Sequence, residues 1–315
     1  MIATAILMLT ALAFAWSMGA HYTGACMGMP YATKSIALCP ALGLMAVMTL
    51  IGAAFLSHGV LVHVGHGIIA GRLGKIPAII VIGTAFALTT LFTQCRIPTS
   101  TIQILVFALV GVGLALGLGI DWTAILRLAL LWVLAPFIAC GLGFLFTRLF
   151  DRVPAFAADR TASMIGQALV AVGALASLTM GANDVSNATA VFLSVHVSSA
   201  LVAGIIGGIG LAVGVLTWGR PLLERVAFDV VKMDMKMATA AQLVQALVVL
   251  TAVAFGYFTS MNQALIGAMA GTGLARGRQT IDTRVIFGIV RGWIIGPGAG
   301  FILAYAVARF YQVIG

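Results

Sequence analysis

Polar residues in this chain are confined to short breaks between ten long apolar runs. The runs lie at 3–29, 37–57, 76–94, 100–119 and 124–147, then at 161–194, 198–218, 238–257, 261–275 and 285–308. About 20 apolar residues in a helix cross the roughly 30 Å hydrocarbon layer of a bilayer, so the pattern predicts an all-α polytopic membrane protein. Two runs are irregular: 161–194 is too long for one straight span and 261–275 is short. Broken or re-entrant helices are expected there.

The pattern also repeats. Thr99-Ser100-Thr101-Ile102-Gln103, followed by Gly111-Val112-Gly113-Leu114, returns as Thr259-Ser260-Met261-Asn262-Gln263 and Gly271-Thr272-Gly273-Leu274, an offset of 160. Trp132-Val133-Leu134-Ala135-Pro136 returns as Trp293-Ile294-Ile295-Gly296-Pro297 at 161, and Met18-Gly19-Ala20 as Met180-Gly181-Ala182 at 162. Three anchors in register point to two copies of one unit, 1–152 and 153–315. About five membrane segments per copy is an odd number, so the second copy enters the membrane inverted. Inverted-topology repeats are the build of secondary transporters, with the site near the midplane where the repeats meet.

Composition agrees with lipid as the solvent. Hydrophobic residues make up 62% of the 315 positions and charged residues 8%, too few charges to cover a soluble surface. The net charge of +9 does not point to nucleic acid, because the bases lie in loops between apolar runs and not on one amphipathic face. If every run crosses, one side collects twelve bases and the other only Arg72, Lys75 and Arg309. The positive-inside rule then makes the twelve-base side cytoplasmic, with both termini outside the cell (inner) membrane. Re-entrant segments would change the span count without upsetting this bias. The first 18 residues lack the basic start of a signal peptide and fill the place of a first span, so they are read as retained. Cys26, Cys39, Cys95 and Cys140 show no CxxC spacing and are read as packing residues. The sequence leaves monomer and homodimer both open.

Among eight acids only Asp184 lies within a long apolar run, in Gly181-Ala182-Asn183-Asp184-Val185-Ser186-Asn187-Ala188. An ionisable group at that depth costs roughly 2.5–3.5 kcal/mol on insertion scales and points to function. Asn183 and Asn187 share a helix face four residues apart, and Gly181 would permit a helix break. Carboxylate and amide oxygens suit a sodium ion, and the same carboxylate could instead carry a proton. The matched Thr99-Ser100-Thr101 and Thr259-Ser260-Met261-Asn262 segments each open an apolar run. Hydroxyls and free N–H groups at two helix N-termini make an anion site for a tetrahedral oxyanion, where a single copy would be ordinary capping. His21 falls at the repeat position of Asn183, with Tyr22 at that of Asp184. Its imidazole could hydrogen-bond an oxyanion, carry a proton or simply pack. His58, His63 and His66 lie in a glycine-rich connection without a cysteine or carboxylate to complete a metal site, and His196 ends a run.

The string Gly181-Ala182-Asn183-Asp184-Val185-Ser186-Asn187-Ala188 resembles the signature of the inorganic phosphate transporter family. Pro98-Thr99-Ser100-Thr101, running into Gly111-Val112-Gly113, resembles that family's second repeated element. The resemblance implies a sodium- or proton-coupled carrier of inorganic phosphate, with Asn183, Asp184, Asn187 and the Thr-Ser segments lining the sites. One departure stands out: the family carries the Gly-Ala-Asn-Asp signature in both halves, whereas the first copy here reads Gly19-Ala20-His21-Tyr22-Thr23-Gly24-Ala25. A degenerate first copy in a short chain also resembles the family's bacterial sulfate permeases.

The expectation is therefore a transporter that imports an inorganic oxyanion, phosphate before sulfate, and needs no cofactor beyond a coupling sodium ion or proton. Thr99, Ser100, Thr101, Thr259, Ser260, Asn262 and His21 are its candidate substrate residues. Asn183, Asp184 and Asn187 are its candidate coupling-ion residues. Two other classes remain in view: a passive anion channel, which would need no cation gradient, and an intramembrane metalloenzyme built on His58, His63 and His66.

Overall fold

The computed structural model describes residues 1–61, 68–70, 73–97, 99–152, 161–194, 199–225, 233–277 and 283–314. All ten apolar runs become helix. In the first half these are α1 (Ile2–His21), α2 (Thr23–Ala32), α3 (Leu38–Phe55), α4 (Lys75–Gln94), α5 (Thr101–Ala115) and α6 (Trp122–Arg152). The second half has α7 (Thr161–Ser194), α8 (Ala200–Trp218), the short α9 (Arg220–Arg225), α10 (Met235–Ala254), α11 (Met261–Arg276) and α12 (Thr283–Ile314). Two-residue strands β1 (Ile69–Ala70) and β2 (Gly119–Ile120) pair antiparallel.

The longer helices of the two halves correspond in position and length. Shifting α4 by 160 residues lands on both ends of α10, and shifting α3 by 162 lands within a residue of α8. Their packing also exchanges: α1 lies on α8 as α7 lies on α3, and α5 lies on α12 as α11 lies on α6. Small residues permit these approaches. A Cβ on Gly181 would land on the carbonyl oxygen of Thr49, and one on Gly19 on that of Leu211, itself 162 positions beyond Thr49. With lipid outside, such backbone-to-backbone contact is the main attraction between helices. Phe137 and Ile138 of α6 and Phe310 of α12 remain exposed on outer faces, as lipid-facing residues should be.

Among the described residues, eight helical stretches are long and apolar enough to cross a membrane. The other two apolar helices, α5 and α11, have 15 and 16 residues. At 1.5 Å per residue they reach only about 22–24 Å. Each is the return leg of a hairpin. Ile69 pairs with Ile120, which ties the entry of α4 to the exit of α5. In the second half Asp234, the N-cap of α10, meets Arg276 at the end of α11 at 3.2 Å, and Arg276 also holds Asp151 of α6 at 2.8 Å. Each hairpin, α4–α5 and α10–α11, thus has its two ends together. Of the two arrangements that the sequence leaves open, every run crossing or some re-entrant, these hairpins fit the second.

The place of the helix break differs from expectation. The chain does not break at Gly181, because α7 runs unbroken from Thr161 to Ser194. It breaks in the first half, at Tyr22 between α1 and α2. The Thr23 hydroxyl competes with the backbone there, in contact with the carbonyls of Ala20 at 3.0 Å and Gly219 at 2.5 Å. Val185, the repeat partner of Thr23, has no hydroxyl to do this.

Candidate functional site

Four pieces of chain meet deep inside the bundle: the α1–α2 break, the middle of α7, and the two hairpin tips. The return side of each tip is buried, whereas Arg96 and Phe255 at the turns are exposed. Thr99, Ser100 and Thr101 on the first tip are fully buried, as is Ser260 on the second, with Thr259 and Asn262 nearly so. Ser100 and Ser260 are true N-caps. Their Oγ atoms accept from the N–H groups of Gln103 at 3.4 Å and Gln263 at 3.3 Å. Capping uses each Oγ as an acceptor and leaves its proton free to donate. Capping and anion binding are therefore compatible here.

Asp184 is fully buried, and no lysine or arginine pairs with it among the described residues. Its two oxygens accept from amides on either side, Asn183 Nδ2 at 3.1 Å and Asn187 Nδ2 at 3.3 Å. Asn183 has a second task. Its Nδ2 donates to the carbonyl of Thr259 at 2.9 Å, and its Oδ1 accepts from Thr259 N–H at 3.0 Å. One amide thereby reads both polar groups of a tip residue. The Tyr22 hydroxyl pairs with Thr101 Oγ1 at 2.8 Å and lies beside the Asp184 carboxylate. Asn262 reaches from the second tip to the first, donating to Thr99 O at 2.6 Å.

The expected residues thus lie together on the two tips, the break and the middle of α7, with Ser100 and Ser260 held by the caps of their own tips. His21 is there too, with both ring nitrogens occupied: Nδ1 meets Thr93 Oγ1 at 2.8 Å and Nε2 accepts from Thr99 N–H at 3.1 Å. His58 is exposed, while His63, His66 and His196 lie outside the described residues. Among the described residues no three His, Cys, Asp or Glu come together in a way that could hold a metal ion.

Sequence reasoning missed Gln242 and Gln245, both fully buried on α10. Gln242 donates to Ala25 O at 2.8 Å, beside the break, and Gln245 to Met261 O at 3.3 Å, beside the second tip. Two glutamines three apart in an apolar run were the available signal. Several buried oxygens have no donor: Asn187 Oδ1, Thr259 Oγ1, Gln103 Oε1, Gln263 Oε1 and Gln242 Oε1. Orphaned acceptors in a dry interior are costly unless something positive or protic meets them.

The chain is similar to several known proteins. The chain resembles the sulfate permease CysP of Bacillus subtilis, 26% identical over 308 residues that span 96% of this chain and 86% of that protein. It also resembles a Mycobacterium tuberculosis protein named "Probable low-affinity inorganic phosphate transporter", 27% identical over 98% of this chain and 78% of that one. Its fold is that of a solved structure described as the sodium-dependent phosphate transporter, at 19% identity and a TM-score of 0.88 with all of both chains covered. These are transporters and not enzymes. A family model matches the chain twice, over residues 18–165 and again over 154–304, and the chain belongs to the family it describes, the phosphate transporter family.

Proposed function

We propose that the protein is a secondary active carrier that imports a tetrahedral oxyanion, phosphate before sulfate, together with sodium or a proton. The observation that carries this reading is the meeting of two N-capped tips, with Thr99, Ser100, Thr101, Thr259 and Ser260 buried beside one unpaired carboxylate. First-turn N–H groups and hydroxyl protons supply donors for the anion, and the helix dipoles favour its charge. Asp184 and the free Oδ1 of Asn187 supply hard oxygen ligands for the coupling cation, with Asn183 fixing the carboxylate's orientation. Family membership and the sodium-dependent protein of like fold support the same direction.

In this reading the chain is two inverted repeats, 1–152 and 153–315. With each hairpin returning to its own side, a half has three net crossings in place of five. Three is still odd. The base count loses only Arg96, now at a tip, so the positive-inside rule still puts both termini outside the cell membrane. The halves would rock about the anion and expose it to each face in turn.

Sulfate is the second reading, and Tyr22 favours it. Phosphate retains a proton at neutral pH and profits from a carboxylate acceptor, whereas sulfate has none to donate. Tyr22 stands at the repeat position of Asp184, which leaves the site with one acid.

Uptake of labelled phosphate and sulfate into proteoliposomes, with and without sodium and pH gradients, tests both readings. Accumulation is expected only with an inward cation gradient. Equal uptake without any gradient would make the protein a channel. Thr259→Val probes the anion shell directly, because Thr259 Oγ1 is buried without a partner. The isosteric change removes an orphan, so folding should hold, while KM rises roughly tenfold for one lost hydrogen bond. An unchanged KM would place that hydroxyl outside the shell.

A further inference from the structure

We propose that His21 is a positioning residue, a neutral imidazole that latches the first hairpin tip to the α1–α2 break as Asn183 latches the second tip to α7. The inference rests on the carrier reading above but gives His21 a different task from touching the anion.

The hydrogen bonds fix the tautomer. Thr93 Oγ1 spends its proton on Thr89 O at 2.7 Å, so it must accept from His21 Nδ1–H at 2.8 Å. Nε2 is then the bare nitrogen, and it accepts from Thr99 N–H at 3.1 Å, while the Thr99 carbonyl, which only a protonated Nε2 could address, lies farther off at 3.3 Å. A ring held in this way has no N–H left to offer an oxyanion. What it does offer is a fixed point for Thr99, whose carbonyl is separately held by Asn262 at 2.6 Å.

The second half shows the same job done by another side chain. His21 and Asn183 are 162 apart, and Thr99 and Thr259 are 160 apart. Asn183 accepts from Thr259 N–H at 3.0 Å, as His21 does from Thr99. The two halves have kept the contact and changed the residue. Asn183 is also tied to Asp184, and so carries the ion site with it. His21 is tied instead to Thr93 at the end of α4, within the same hairpin as Thr99. The first latch therefore holds both legs of its hairpin against the break, and Ser100 and Thr101 keep their positions through it.

Hydrogen–deuterium exchange of the full chain in nanodiscs reads the latch without reference to transport. His21→Leu should speed exchange in 95–103 roughly tenfold, leave 255–263 as in wild type, and lower uptake by a similar factor. His21→Gln, whose Oε1 falls near the position of Nε2, should bring both back to within about threefold of wild type. Thr93→Val removes the acceptor of Nδ1, along with the Thr93 bond to Thr89 O inside α4, and should loosen 95–103 about threefold, which serves if the leucine variant does not assemble. Wild-type exchange at 95–103 in both His21→Leu and Thr93→Val would overturn the proposal, as would glutamine behaving like leucine. If wild type carried neither anion while this exchange pattern held, the carrier reading would fall and the latch would stand.

Discussion

Asp184→Asn is expected to abolish gradient-driven uptake while the protein remains folded. The fold should survive because the neighbours can adapt. Asn183 cannot turn its amide, since Thr259 N–H and Thr259 O fix its two ends. Asn187 can, because its Oδ1 has no partner and would accept the new amide N–H. The charge, by contrast, has no replacement among the described residues, where Asp184 is the acid buried at the centre. At an effective dielectric constant near 20, a carboxylate about 2.4 Å from a monovalent cation contributes roughly 7 kcal/mol before dehydration is charged against it. Only about 2.7 kcal/mol of that need be lost for a hundredfold fall in cation affinity. Uptake driven by a sodium or pH gradient should therefore drop to roughly 1% of wild type, with an unchanged elution profile in detergent. Wild-type accumulation in this variant would remove Asp184 from the coupling mechanism.

Much of this was legible in the chain because membrane solvent imposes simple rules. An apolar run must satisfy its backbone internally, so runs became helices. The repeat anchors at Thr99 and Thr259, and at Gly19 and Gly181, then fell at matching places. Asp184 was singled out by cost alone, as the one acid within a long apolar run. The hairpins were less accessible. Hydropathy treats α5 as it treats any span, and what shows its return is the pairing of Ile69 with Ile120, some fifty residues apart. In the second half the same information sits in Asp234 and Arg276, which read in sequence as two loop charges.

The break was misplaced for a related reason. Gly181 permits a bend but does not require one, and here its missing side chain serves contact with Thr49 instead. The interruption at Tyr22 adjoins the contact of the Thr23 hydroxyl with Gly219, a partner 196 residues away. His21 lies with the other candidate residues, as its repeat position suggested, but its contacts were hidden. A histidine's role follows from which atom each ring nitrogen meets, and Thr93 lies outside both repeated motifs.

The second large effect is expected from a residue with no side chain. Gly181→Val should cost most of the folded protein, and Gly19→Val should do the same from the symmetric position. Each new Cβ would fall on a carbonyl oxygen of the facing helix, that of Thr49 or of Leu211, with the same residue's carbonyl carbon and Cα close behind. Backbone cannot rotate away as a side-chain tip can, so α7 must part from α3, or α1 from α8. Overpacking costs about 1–3 kcal/mol where side chains give way, and rigid backbone places these sites at about 3 kcal/mol or more. Gly181 is also two residues before Asn183, so a displaced α7 pulls both Asp184 and the Thr259 latch out of line. Any protein that still assembles should retain less than about a tenth of wild-type uptake. Gly43→Val, where nothing lies within 4 Å of the new Cβ, provides the control and should stay near wild type. The comparison is read as melting temperature and initial uptake rate for all three variants. Gly181→Val matching Gly43→Val in both would mean that α3 and α7 approach less closely than this packing requires. The glycines would then be incidental to the position of Asp184.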